Sequence, residues 1–141
     1  MAPTHAPSDD LRAMYRRWID MWNGGIDLAE ELMSPECPIH QPPNTFQGAD
    51  GLLQMIRMGR APFDAPVFAV EVEPIVEGKR LAARWTMTGR YRGGIPGTTA
   101  PVGTEITFGG IDIWRVEGGK IVEYWVSSDG LWMMAQLTPE T

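Results

Sequence analysis

The apolar positions fall into two textures. Leu11, Met14, Tyr15, Trp18, Ile19 and Trp22 recur at helical spacing. Ser8 suits an N-cap ahead of them, Asp9 and Asp10 favour the dipole of the first turn, and Asn23-Gly24-Gly25 stops the run. Asp27 and Glu30 have the spacing of a capping box before a short helix, Leu28 to Met33. Pro35, Pro38, Pro42 and Pro43 predict an irregular segment. A third helix is predicted from Ala49 to Met58, with Leu52, Leu53 and Ile56 on one side. After Pro66 the pattern turns to strands: Val67 to Val76, with Pro74 marking an edge or bulge; Arg80 to Tyr91; Thr104 to Val116, with a bulge at Gly109-Gly110; and Lys120 to Ser128. Leu131 to Leu137 closes the chain as a short helix.

Helices followed by antiparallel strands read as α+β, a curved antiparallel sheet with helices on one side. The 141 residues suit one domain, 8–141, behind a mobile Pro/Ala-rich tail, 1–7.

Hairpin geometry assigns faces. Gly118-Gly119 is a two-residue turn that pairs Glu117 with Lys120. Counted back along an unbroken ladder, Asp112 opposes Trp125 and Phe108 opposes Asp129. The loop from Gly93 to Gly103, centred near Thr98, sets Arg84 opposite Asp112 and Ala82 opposite Trp114. Opposed residues share a face. One face therefore carries Arg84, Phe108, Asp112, Trp114, Trp125, Ser127 and Asp129, looking inward against the helices. The other carries Leu81, Ala83, Trp85, Met87, Ile111, Ile113, Val122, Tyr124 and Val126. That second face is too apolar to stay in water, so Trp85, Ile111, Ile113 and Tyr124 are expected to form a homodimer contact.

Composition narrows the class. Eighteen acidic and twelve basic residues give a net charge of −6, and no Lys/Arg cluster offers a nucleic-acid surface. A single cysteine, Cys37, excludes an internal disulfide framework and a cysteine zinc cluster; no His/Cys spacing suggests a metal. No apolar run spans a bilayer and no signal peptide is visible, so a cytoplasmic protein with no membrane partner is the expectation. Phosphate-loop and GxSxG motifs are absent, and no cofactor is expected. Six Trp and nine Met serve either core and oligomer contacts or the walls of a pocket for a bulky apolar ligand.

An apolar cavity holding two carboxylates, a guanidinium and aromatics could transfer protons, because burial raises a carboxylate pKa and a nearby cation lowers it. Asp112 opposite Arg84 would stay ionised, or the two form a structural ion pair. Asp129, with no basic residue opposite, is the freer general acid or base, and also a candidate N-cap for the last helix. His40, between Pro38 and Pro42, is either a proton shuttle or a surface loop histidine. Tyr15, Asn44 and Glu123 are candidate hydrogen-bonding groups. Trp18, Trp114 and Trp125, with Phe108, would shape the substrate pocket.

The stretch ARWTMTGRYRG (83–93), Gly103 to Phe108, GIDIWRVEGGKIVEYW and Asp129, with SPECPIHQPP and QGADGLLQMIR before them, resembles the SnoaL-like polyketide cyclase family of the nuclear-transport-factor-2-like superfamily. The resemblance runs from Leu11 to Leu137. It implies a conical barrel of strongly curved antiparallel sheet, three N-terminal helices and a deep apolar pocket. It also implies acid/base ring closure of an aldol type, with Asp129 at the family's acidic position and His40 at its frequent histidine. Many relatives carry His where this chain has Tyr124. Epoxide hydrolase, isomerase or dehydratase activity on the same fold, or plain hydrophobic-ligand binding, are the alternatives.

Overall fold

The computed structural model describes residues 7–139. The tail and His5 lie outside the described residues, save Pro7, which begins the first helix. The order is α1 (Pro7–Trp22), α2 (Leu28–Leu32), β1 (Pro38–Gln41), β2 (Asn44–Gln47), α3 (Gly48–Arg60), β3 (Phe63–Glu77), β4 (Arg80–Tyr91), β5 (Glu105–Glu117), β6 (Lys120–Ser128) and α4 (Gly130–Leu137). Proline suits the first turn of a helix, where its missing N–H has no partner to lose. Ser8 consequently sits inside α1 rather than capping it. The Asp27/Glu30 capping box is not formed either, because the Asp27 backbone is itself helical and its side chain makes no cap hydrogen bond.

The fold is α+β, with six strands in the order β2-β1-β6-β5-β4-β3. β2 and β3 are free edges, so the sheet is open rather than a closed barrel. It is also mixed: β1 runs parallel to β6, with Ile39 beside Tyr124 and His40 beside Trp125. The proline-rich segment expected to be irregular supplies β1 and β2, a short hairpin turned at the cis Pro42–Pro43 peptide. Pro74 lies where expected, on an edge strand whose register shifts between Val72 and Ile75.

Two one-residue slips separate the sheet from the unbroken ladders counted above. Val116 pairs with Ile121, but Arg115 pairs with Glu123, so the bulge takes in Val122 on β6. Beyond it Asp112 opposes Val126, not Trp125, and Trp114 opposes Tyr124. On the other side Ala83, not Arg84, opposes Asp112, and Arg84 opposes Ile111. A slip of one residue exchanges the two faces of a strand. Leu81, Ala83, Trp85, Met87, Tyr124 and Val126 thus turn inward, while Ile111, Ile113 and Trp125 are exposed outside.

No bulge occurs at Gly109-Gly110; the pairing of β4 with β5 runs through it unbroken. The two glycines make room instead. A Cβ on Gly110 would stand 2.4 Å from the Trp85 ring, and one on Gly109 would stand 2.9 Å from the Arg84 guanidinium.

The core has two parts. The larger packs α1, α2 and α3 on the sheet around Trp18, Leu52, Ile56, Trp114 and Tyr124. The smaller gathers Phe63, Phe68, Met87, Tyr91, Phe108 and Leu137. No described helix is long and apolar enough to cross a membrane.

Candidate active site

A cavity of about 350 Å³ opens where the two core clusters meet. Its walls are aromatic: Trp18 and Trp22 from α1, Phe63 and Phe68 from β3, Trp85 from β4 and Phe108 from β5. Ile95, carried on the loop between β4 and β5, and Met133 of α4 complete one side. Among the described residues no Lys, Arg or His lines the cavity.

Asp112 projects from β5 into this cavity and is 1% exposed. Tyr124 donates to its Oδ1 at 2.6 Å and Tyr15 to its Oδ2 at 2.8 Å. Burial without a cation pushes the Asp112 carboxyl up, from 3.8 to about 6. Hydrogen bonds from Tyr124, Tyr15, Trp18 and Trp85 restrain the rise, because donors favour the charged form. The same burial, reinforced by the Asp112 charge, drives both tyrosine hydroxyls well above their ordinary value, so they stay protonated. Trp18 stacks edge-on against Tyr124 and Trp114, with ring centroids 4.9 and 5.1 Å apart, and fixes this floor.

The sheet divides the other candidates. Asp129 does not line the cavity. Its Oδ2 accepts from the Arg84 guanidinium at 2.7 Å, and Arg84 also donates to Glu71 at 2.8 Å. The slip in β4 took Arg84 to the outer face, and the guanidinium reaches Asp129 across Gly109. Asp129 precedes α4 without a side-chain cap hydrogen bond, so the N-cap role is absent as well. The Arg84/Asp112 ion pair does not exist. His40 lies beside Trp125 on the outer face, stacked on it at 5.4 Å and hydrogen-bonded to Glu123 at 2.9 Å. Asn44 is exposed on β2, and Trp114 is buried beneath the cavity rather than lining it. Trp125, half-exposed outside, is excluded from the pocket. Trp18, Phe108 and Asp112 stand where expected, with Tyr15 one step behind as a donor. Cys37 is buried and its thiol is pushed up to about 12, chiefly by burial, which leaves it a poor nucleophile.

The sequence profile of SnoaL-like polyketide cyclases matches residues 12–137. The chain belongs to that family. No protein of curated function matches it. Among solved structures, IdmH from Streptomyces antibioticus, a proposed polyketide cyclase, is 27% identical, with coverage of 94% of this chain and 99% of IdmH and a TM-score of 0.76. TsrD from Streptomyces laurentii is 24% identical over 94% of this chain and 98% of its own, with a TM-score of 0.79. AclR from Streptomyces galilaeus, a proposed hydroxylase, is 21% identical over 96% and 86%, with a TM-score of 0.80. The last two are similar in fold.

In this SnoaL-like chain Tyr124 faces the cavity and bonds Asp112, so it forms part of the polar floor. Tyr124, Trp85 and Gln41 are among the cavity residues that sequence reasoning missed, with Trp22, Phe63 and Phe68; counting from the bulge at Val122 turns the rest of β6 and places Tyr124 inward. Among the described residues no three His, Cys, Asp or Glu side chains converge as a metal site requires.

Proposed function

We propose that this protein is an acid/base enzyme of the polyketide cyclase type, acting on a hydrophobic ketide-like carbonyl compound with Asp112 as the proton-transferring group. The observation that carries this reading is a carboxylate near neutrality at the floor of an aromatic cavity without a counter-cation. Such a group is matched to general base work close to pH 7. Asp112 takes a proton from the carbon next to a carbonyl; the enolate carbon attacks a second carbonyl in the same molecule and closes the ring. The proton returns from Asp112 to the new alkoxide, and no cofactor enters the balance. Tyr15 and Tyr124 make the protonated state tolerable, because a hydroxyl can rotate from donor to acceptor.

The epoxide-opening alternative needs Arg84, Asp112 and Asp129 together, and the sheet separates them. The test is α-proton exchange of 1-tetralone and a linear 1,3-diketone in D₂O, followed by proton NMR. Wild type should exchange at least one, and Asp112→Asn should lose about 100-fold or more of the rate. Undiminished exchange in that variant overturns the assignment.

We also propose a homodimer through the outer face. Ile111, Ile113 and Trp125 support it, since all three are exposed and a contiguous apolar face on a folded protein marks an interface. Trp85 and Tyr124 leave the contact expected above, as they face inward. Sedimentation should give a dimer mass at micromolar concentration for wild type and a protomer mass for Ile113→Lys; a wild-type protomer sinks the idea.

A further inference from the structure

Gln41 ends β1 with its side chain lining the cavity. Its amide makes no hydrogen bond among the described residues. A partly exposed amide beside aromatic walls, with no protein partner, is free to donate to a ligand that enters the cavity.

The register shows what that ligand group would be. Ile39 lies beside Tyr124 and His40 beside Trp125, which places Gln41 level with Val126. Val126 is itself paired with Asp112. Gln41, Val126 and Asp112 therefore form one row across three strands on the cavity face. The outer two are separated by two strand spacings, about 10 Å between backbones. Val126 is apolar and makes a flat seat between an acceptor at one end and an amide donor at the other. A carbonyl and its neighbouring C–H present the complementary pair: an oxygen that accepts and a proton to be removed, three bonds apart.

We propose that the Gln41 amide donates a hydrogen bond to the carbonyl oxygen of the substrate and holds it as charge moves onto that oxygen when Asp112 removes the adjacent proton. This rests on the reading of Asp112 as the base, and it places the enolate contact on Gln41, because the parallel pairing turns the neighbouring His40 outward. The substrate is thereby a carbonyl compound whose oxygen points toward β1 and whose acidic carbon points toward β5.

The test uses two probes that differ only at the oxygen. 1-Tetralone can accept a hydrogen bond but not donate one, so it does not report on Asp112 as acceptor; tetralin has the same ring system without the oxygen. Equilibrium dialysis is run on wild type, Gln41→Leu and Gln41→Met. Both variants should bind tetralin as wild type does, which shows the cavity intact, and bind 1-tetralone about 5- to 10-fold more weakly. If 1-tetralone is exchanged by wild type, its rate should fall further in both variants, by about 100-fold, because the contact strengthens as the oxyanion forms. Unchanged 1-tetralone affinity overturns the proposal. So does equal loss of both probes, which marks Gln41 as structural, and so does a wild type that holds 1-tetralone no better than tetralin. No proton moves in the binding comparison, so failure of Asp112 as base is seen separately, in the exchange rate of Asp112→Asn.

Discussion

Asp112 and Asp129 carry the same side chain into opposite surroundings. Asp112 lies under the helices, met by two tyrosine hydroxyls and no cation. Asp129 lies outside, held by the Arg84 guanidinium, which Glu71 shares. Burial raises the first carboxyl to about 6 and readies it to accept a proton near neutral pH. The second keeps the Arg84 guanidinium at 2.7 Å, outside the cavity. One residue type thus meets two environments, and of the two carboxylates only Asp112 lines the cavity.

The largest effect should separate the two directly. Asp112→Asn should abolish turnover, while Asp129→Asn should leave it within a few-fold. The pH profile sharpens the contrast. With Asp112 as base, wild-type kcat/KM should rise about tenfold per unit below pH 6 and level off above it. Stability should run the other way. The folded pKa is raised above 3.8, so between about 4 and 6 the native state binds more protons than the unfolded chain, and rising pH removes stability. The loss is complete above pH 6 and amounts to about 3 kcal/mol. Denaturant titrations of wild type and Asp112→Asn should diverge across that window; parallel curves would show that the carboxyl titrates normally.

Smaller, but specific, are the donors. Removing a hydroxyl that favours the charged carboxylate should raise the Asp112 pKa further. Tyr124→Phe should move the midpoint of the kcat/KM profile up by about one unit, given about 1.5–3 kcal/mol for a charge-assisted hydrogen bond. Tyr15→Phe should do less, since its bond restrains the carboxyl less than that of Tyr124. A downward shift in either variant contradicts the donor geometry. Gly110→Ala tests the wall rather than the floor. Its Cβ would meet the Trp85 ring at 2.4 Å and the Ser127 carbonyl at 2.8 Å, and Trp85 lines the cavity. A cost of about 1–3 kcal/mol in denaturant unfolding, with a smaller cavity, is expected.

The two aspartates also show how far the sequence could be read. β4 and β6 have the expected ends, because each β-rich run follows turn glycines, Gly78 and Gly118-Gly119. α1 was legible from six apolar residues at helical spacing. The residue types of the site were legible too: Asp112, Trp18, Phe108 and Tyr15. Their orientation was not. The bulge at Val122 lies in a β-rich run with no Gly or Pro to mark it, and one extra residue exchanged Tyr124 for Trp125. β1 and β2 have four residues each, too few to show a period, and β1 pairs with a strand far along the chain. Nothing local to His40-Gln41 says which of the two looks inward.

The smallest effect is expected at the outer ion pairs, and it is the most exposed to refutation. The side chains of Arg84, Asp129 and Glu71 are 28%, 35% and 44% accessible. Solvent screens charges in such positions, and pairs of this kind contribute about 0–1 kcal/mol. Arg84→Met keeps the apolar stem and removes the charge, so unfolding free energy should fall by about 1 kcal/mol or less. In 1 M NaCl, where the screening length is about 3 Å, the difference from wild type should shrink. Turnover should hold within about twofold, because neither the guanidinium nor its partner carboxylate reaches the cavity. A hundredfold loss in Arg84→Met, with stability intact, would put the proton transfer on the outer pair. It would leave Asp112 as a buried structural acceptor for its two tyrosines.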